Sequence, residues 1–135
     1  MENERNLIKT VCGAIGGAMA YVFGSFDSLI VVLVCMVTMD YLSGVTKAFV
    51  LGTVSSRTGF KGLLKKLMVF LLVGVGSIID RFIPSANGAV RSAVIMFYVA
   101  NEGISILENA AEIGLPMPEL LKNALAQLKD GKKGK

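Results

Sequence analysis

The sequence predicts an all-α integral membrane protein with about four transmembrane helices followed by a C-terminal amphipathic helix. Of its 135 residues 53% are hydrophobic and 18% are charged, whereas a soluble domain carries about 25% charged residues. The uncharged runs 10–26, 28–39 and 67–79 are also too long and uniform for one soluble core. Four spans of about 20 residues each occupy most of the chain and leave no room for a separate globular catalytic domain.

The residue types that the chain lacks exclude much of enzyme chemistry. It contains no histidine, so it has no Ser/His or Cys/His nucleophilic pair, no imidazole proton shuttle and no histidine-based zinc site. Cys12 and Cys35 lie in apolar stretches, form no CxxC motif and are interpreted as small packing residues. We therefore expect a protein that is not an enzyme and that needs no cofactor or metal.

The first predicted span, 7–24, is rich in small residues. Gly13 and Gly17 lie four positions apart, and Gly16 and Ala20 repeat the spacing, which gives a flat face for close helix packing. The same stretch could be the apolar core of a signal peptide, but its small residues and the lack of a convincing cleavage site favour a retained span.

Three further spans follow at about 28–51, 63–79 and 92–113. A polar connection, 52–66, is predicted between the second and third spans, and a proline-containing segment ends the fourth. Residues 119–135 are predicted to form a cytoplasmic amphipathic helix with a basic tail, because leucines recur there at helical spacing. The domain division is therefore 1–118, transmembrane, and 119–135.

The basic residues predict the orientation of the chain. Of the 14 lysines and arginines, all except Arg81 and Arg91 lie on the side that holds both termini in a four-span arrangement. The positive-inside rule then places both termini in the cytoplasm, whereas a three-span alternative would put one basic group outside. Topology and anionic lipids account for the net charge of +4, so we expect no nucleic-acid partner.

Polar residues inside the spans are the candidate functional residues, because ionisable groups there usually face a bundle interior or a wet cavity. Asp40 and Glu102 are predicted to lie about 18 Å and about 15 Å from the outer ends of their helices, hence at one level. No basic residue is expected at that level, so the acids should be protonated, hydrated or paired by oligomerisation. The candidate lumen or inter-helix residues are Asp40, Ser43, Lys47, Glu102, Ser105, Glu108 and Asn109.

Two interpretations of these residues stay open at this point. The acids could be neutral hydrogen-bonding groups that hold helices together, or the polar stripes of the second and fourth spans could face a lumen. For Lys47, a side chain that extends to the inner membrane surface is favoured over a lumen role. The candidate helix-packing residues are Gly13, Gly16, Gly17 and Ala20.

Several segments together resemble one known family. The segments are 39–49, 55–56, 59–66, 79–80, 101–109 and 114–118. They contain rare intramembrane polar positions in matching order and spacing, within a resemblance that covers roughly residues 30–128. The chain resembles the toxin-secretion and phage-lysis holin family, which includes the clostridial TcdE-like holins. The matched motif positions include Asp40, Lys47, Glu102, Glu108 and Asn109, and the resemblance carries no catalytic residue.

The resemblance implies a holin that accumulates in the bacterial cytoplasmic membrane and assembles with itself into large lesions. The cargo that such lesions release is an endolysin or a large toxin. Two other functions compete with this expectation. One is a small four-span transporter or ion channel that uses the midplane carboxylate of Asp40 or Glu102, and the other is a membrane adaptor that binds a partner through its C-terminal helix.

Overall fold

The computed structural model describes residues 1–121 and residue 123, and this part of the chain contains four long helices and no strand. The helices are α1 (Glu2–Phe23), α2 (Ser28–Val50), α3 (Ser56–Phe82) and α4 (Ala89–Glu112). Each is long and apolar enough to cross a membrane, which confirms the predicted all-helical class with four candidate spans. Most of the predicted amphipathic helix and basic tail, 119–135, lies outside the described residues.

Side-chain caps fix where the helices begin. The Asp27 carboxylate accepts a hydrogen bond from the Ile30 amide (3.1 Å), and the Ser55 hydroxyl accepts one from Thr58 (3.4 Å), so both satisfy amides that lack a helical partner. Helix α4 is capped from outside its own segment, because Asp80 near the end of α3 accepts from the amides of Val90 and Arg91 at 3.1 and 2.8 Å. This cap joins the adjacent ends of α3 and α4.

Helices α2, α3 and α4 form a three-helix bundle in which α4 packs closely on both of the others. Leu33, Val73 and Ile95, one from each helix, are fully buried in its apolar core. Gly76 allows α3 and α4 to approach closely, since a Cβ there would lie 3.1 Å from the Arg91 Cα. The bundle therefore has a filled interior at this level.

Helix α1 lies at the edge of the bundle. Residues 2–22 are all exposed, and α1 meets α3 near its own C-terminal end, where Val22 packs at Gly74 and the Arg81 guanidinium stands 3.9 Å above the Tyr21 ring. The space in front of Gly13, Gly16 and Gly17 is open. The predicted small-residue face thus has no partner within its own chain in the described part.

The predicted polar connection 52–66 is largely helical, which corrects the sequence interpretation. Helix α3 begins at Ser56 rather than at about residue 63. Arg57, Lys61 and Lys65 are spaced by four, so all three fall on one exposed side of the helix. The helix can therefore start early without burying these charges, and its buried face begins at Lys66.

Candidate functional site

Three helices each bring one charged side chain to a single point inside the bundle. The Lys66 ammonium of α3 donates hydrogen bonds to the Asp40 carboxylate of α2 and to the Glu102 carboxylate of α4. The exposed fractions of the side chains are 15% for Lys66, 9% for Asp40 and 4% for Glu102. We call Asp40, Lys66 and Glu102 the charge cluster.

Neutral polar side chains complete the hydrogen bonds of the charge cluster. The Asn109 amide nitrogen donates to Asp40 Oδ1 at 3.3 Å and to Ser43 Oγ at 2.9 Å, and Ser105 lies beside the Asp40 carboxyl. Among the described side chains, no buried nitrogen or oxygen lacks a hydrogen-bond partner. The cluster is therefore a polar network in which the hydrogen bonds are satisfied. Charged groups can be buried in a protein only under this condition.

The helical period explains why these residues meet. On α2, Asp40 follows the buried Leu33 and Val37 at steps of four and three, and on α3 Lys66 precedes the buried Val69 by three. Residues three or four apart share one helix face. Each charged residue therefore continues the apolar face of its own helix, and the bundle that buries the apolar core also buries the charge cluster.

The expectation that no basic residue shares the level of the two acids is wrong. The sequence predicts Lys66 at the end of a polar connection, but it lies in the third turn of α3 and contacts both carboxylates. The acids are paired within one chain and do not need oligomerisation for this. The signal that identifies Lys66 is its spacing from Val69 and Val73, which places it on a different face of α3 from the exposed stripe.

The other predicted polar residues divide into two groups. Ser43, Ser105 and Asn109 join the cluster as described above. Lys47 instead forms an ion pair with Glu112 near the ends of α2 and α4, with 3.2 Å between Lys47 Nζ and Glu112 Oε2. Glu108 is half-buried on α4.

A second polar site, which the sequence did not reveal, lies at the opposite end of the bundle. Arg91 is buried, and its guanidinium donates to Asp27 Oδ2 at 2.8 Å, to the Phe23 carbonyl at 2.7 Å and to the Ser25 carbonyl at 2.8 Å. Gly24 has a φ of 79°, and a Cβ there would stand 2.8 Å from Arg91 Nε. Arg91 therefore attaches the loop between α1 and α2 to the start of α4.

The Arg91–Asp27 pair predicts an acid-sensitive step in stability. The hydrogen bond from Arg91 holds the pKa of Asp27 below its ordinary value of 3.8. The stabilisation is therefore complete above pH 3.8 and is lost as the pH falls through the lower pKa of the folded state. In thermal melts, the wild type should lose more stability on strong acidification than Asp27→Asn, which cannot ionise. Equal acid dependence of the two proteins would contradict the assignment.

The fold and the polar sites define a class: a small multi-pass helical membrane protein with a charge cluster buried between its spans. The profile of the bacteriophage holin family matches residues 17–130. The chain belongs to the bacteriophage holin family, as the sequence resemblance predicted. This family is a class of membrane proteins rather than of enzymes.

Individual relatives match most of this chain, and one of them carries a name that agrees with this membership. A protein of Bacillus phage phi105 named as a probable holin is 39% identical over 108 residues, which cover 80% of this chain and 78% of the relative. An uncharacterized protein of Listeria innocua is 45% identical over 119 residues, covering 88% and 84%. An uncharacterized 14.9 kDa protein of Clostridium perfringens is 37% identical over 132 residues, covering 98% and 100%. No solved structure matches the chain significantly.

Proposed function

We propose that the protein is a holin that assembles with itself in the bacterial cytoplasmic membrane and forms lesions that release a protein cargo. Membership of the holin family and the similarity to a phage protein named as a probable holin support this. Four helices of membrane-spanning length provide the scaffold. The cargo is an endolysin or a large toxin, and the protein has no catalytic role of its own.

The observation that carries the proposal is the charge cluster inside the bundle. The interior beside it is filled by Leu33, Val73 and Ile95, so a passage wide enough for a protein requires several copies of the chain. Charged side chains are costly within hydrocarbon, and their free energy falls when water reaches them. Asp40, Lys66 and Glu102 would therefore favour a hydrated lesion over a dispersed, closed subunit once the helices within each assembled subunit separate.

The partner in this assembly is a second copy of the chain, and the face of α1 that contains Gly13 and Gly17 provides one contact. This face is open in the single chain, and glycines four apart allow two helix backbones to approach closely. We expect Gly13→Leu combined with Gly17→Leu to reduce cross-linked oligomers without reducing membrane insertion.

The matched control for the glycine variant is Ile15→Leu with Met19→Leu, which changes two exposed apolar residues on the other side of α1. This variant should form cross-linked oligomers as the wild type does. An unchanged ladder of cross-linked species in the glycine variant would show that α1 does not contribute this contact.

Both termini are proposed to lie in the cytoplasm. Arg57, Lys61 and Lys65 near the start of α3 lie on the same side as the termini when four helices span the membrane, whereas Arg81 lies on the other side. Lys66 is buried in the charge cluster and is not a surface charge, but the remaining basic residues still favour the side that holds the termini. Reporters that are active on only one side of the membrane, fused to each end, should both report the cytoplasm, and an external C-terminus would contradict four spans.

Induced expression in a bacterium tests the proposed function. A holin should give an abrupt loss of membrane integrity after a silent interval and should release a co-expressed endolysin or large toxin. A transporter or ion channel would change the flux of one solute without releasing protein, and a membrane adaptor would do neither. If lipid vesicles that contain the purified protein leaked only one ion, this result would favour the channel alternative over the holin.

A further inference from the structure

The formal charges of the charge cluster do not balance. Two carboxyl groups, Asp40 and Glu102, share one ammonium, Lys66, so the cluster carries one excess negative charge if all three groups are ionised. Neutral side chains surround it: Asn109 of α4 bonds Asp40 and also Ser43 of α2, and Ser105 of α4 lies beside the Asp40 carboxyl. The pair Lys47–Glu112, nearer the helix ends, is balanced in itself.

An excess charge at this position is unfavourable. The side chains are almost wholly buried among helices of membrane-spanning length, where an unpaired charge has neither water nor a counter-ion to stabilise it. The Asp40 and Glu102 carboxyl groups also lie close to each other, because a single ammonium contacts both. Two carboxylates that share one site repel each other when both are ionised, and one bound proton removes this repulsion.

We propose that the charge cluster is a proton-binding site, in which the closed subunit holds one proton shared between the Asp40 and Glu102 carboxyl groups. With this proton bound, the cluster contains one carboxylate, one ammonium and one neutral carboxylic acid, and its net charge is zero. When water enters between the helices, both carboxylates are solvated and the proton passes to water. The ligand is the proton itself, and Lys66 stays charged in both states.

Coupling of this site to permeabilisation rests on the proposed function. Because the closed subunit binds one more proton than the hydrated one, a rise in pH favours the hydrated state. The equilibrium shifts by up to about tenfold per pH unit for each proton released. Lesions should therefore form more readily as the pH rises, and a variant whose cluster is balanced without a proton should lose this dependence.

Infrared spectroscopy of the full chain in lipid vesicles at neutral pH tests for the bound proton directly. The wild type should show the carbonyl absorption of a protonated carboxyl group. Glu102→Gln and Asp40→Asn should both lack it, since either variant leaves one carboxylate balanced by Lys66. Glu112→Gln, the matched control, removes an acid outside the cluster and should retain the absorption. Its absence from the wild type, or its persistence in both cluster variants, would overturn the proposal.

Dye release from the same vesicles separates this proposal from the proposed function. Wild-type release should increase with pH, and Glu102→Gln should release dye with little pH dependence, provided that circular dichroism shows unchanged helicity. Release by the wild type that does not vary with pH would refute the coupling and leave the holin function intact. Vesicles that stay sealed at every pH would contradict the proposed function, and the infrared result would still decide whether the proton is bound.

Discussion

Replacement of Lys66 by methionine is expected to destabilise the bundle by about 3–5 kcal/mol, the cost of removing one partner from a buried ion pair. The substitution leaves Asp40 and Glu102 facing each other without a cation, and both are almost fully buried. We expect the Lys66→Met chain to accumulate poorly in membranes and to unfold at lower denaturant concentration in detergent micelles.

Lys65→Met is the matched control for this experiment. Lys65 is the preceding residue, but it is exposed on the outer side of α3, so its removal should leave both abundance and the free energy of unfolding near the wild-type values. If the two variants behaved alike, Lys66 would not stabilise the bundle, and the charge cluster would have no structural role.

Replacing the whole charge cluster by apolar residues should have the opposite effect on stability and the largest effect on function. Buried ion pairs exchanged for well-packed apolar side chains commonly give a change between neutral and a gain of about 1–4 kcal/mol. The variant Asp40→Leu, Lys66→Met, Glu102→Leu should therefore fold and accumulate. Because it has no charged groups that hydration could stabilise, it should abolish or strongly delay lysis of expressing cells.

The control for the triple variant removes a different ion pair, one that joins α2 and α4. Lys47→Gln with Glu112→Gln changes a pair whose side chains are 26% and 55% exposed, and exposed pairs contribute little to stability. This double variant should lyse cells on the wild-type schedule. Lysis by the triple variant on that same schedule, at equal membrane levels, would show that the charge cluster is only a packing element.

The helical architecture could be predicted from the sequence because hydropathy over a window of about 20 residues depends on few competing effects. Helix α2, predicted at about 28–51, is observed at Ser28–Val50. Helix α3 begins earlier than the sequence predicts, because four basic residues before Leu67 indicate a polar connection. Hydropathy averages over all faces of a helix, so it cannot show that Arg57, Lys61 and Lys65 share one exposed face while Lys66 lies on another.

Part of the candidate site could also be predicted, because helical spacing within one span shows which residues share a face. Asp40, Ser43, Glu102, Ser105 and Asn109 follow helical spacing within two spans, and the structure brings these residues together.

The contact of these residues with Lys66 depends on how three helices pack, which spacing within one helix does not determine. The Arg91–Asp27 contact joins a loop to a distant helix and has no local pattern at all. The sequence likewise does not identify the partner of the open glycine face of α1, which the cross-linking experiment tests.

Water access to the charge cluster during permeabilisation tests the central claim most directly. Ser43, which accepts a hydrogen bond from Asn109, can be replaced by cysteine in a chain that carries Cys12→Ser and Cys35→Ser. A second chain with only Cys12→Ser retains the native Cys35, which lies on an exposed face of α2 that would contact lipid. Both are then treated with a membrane-impermeant thiol reagent before and after the onset of lysis.

If the charge cluster becomes hydrated when lesions form, the Ser43→Cys side chain should be protected during the silent interval. It should become labelled when the membrane loses integrity. Cys35 should stay unlabelled at both times. Protection of the Ser43→Cys side chain throughout lysis, with the cytoplasmic contents released on schedule, would contradict the account.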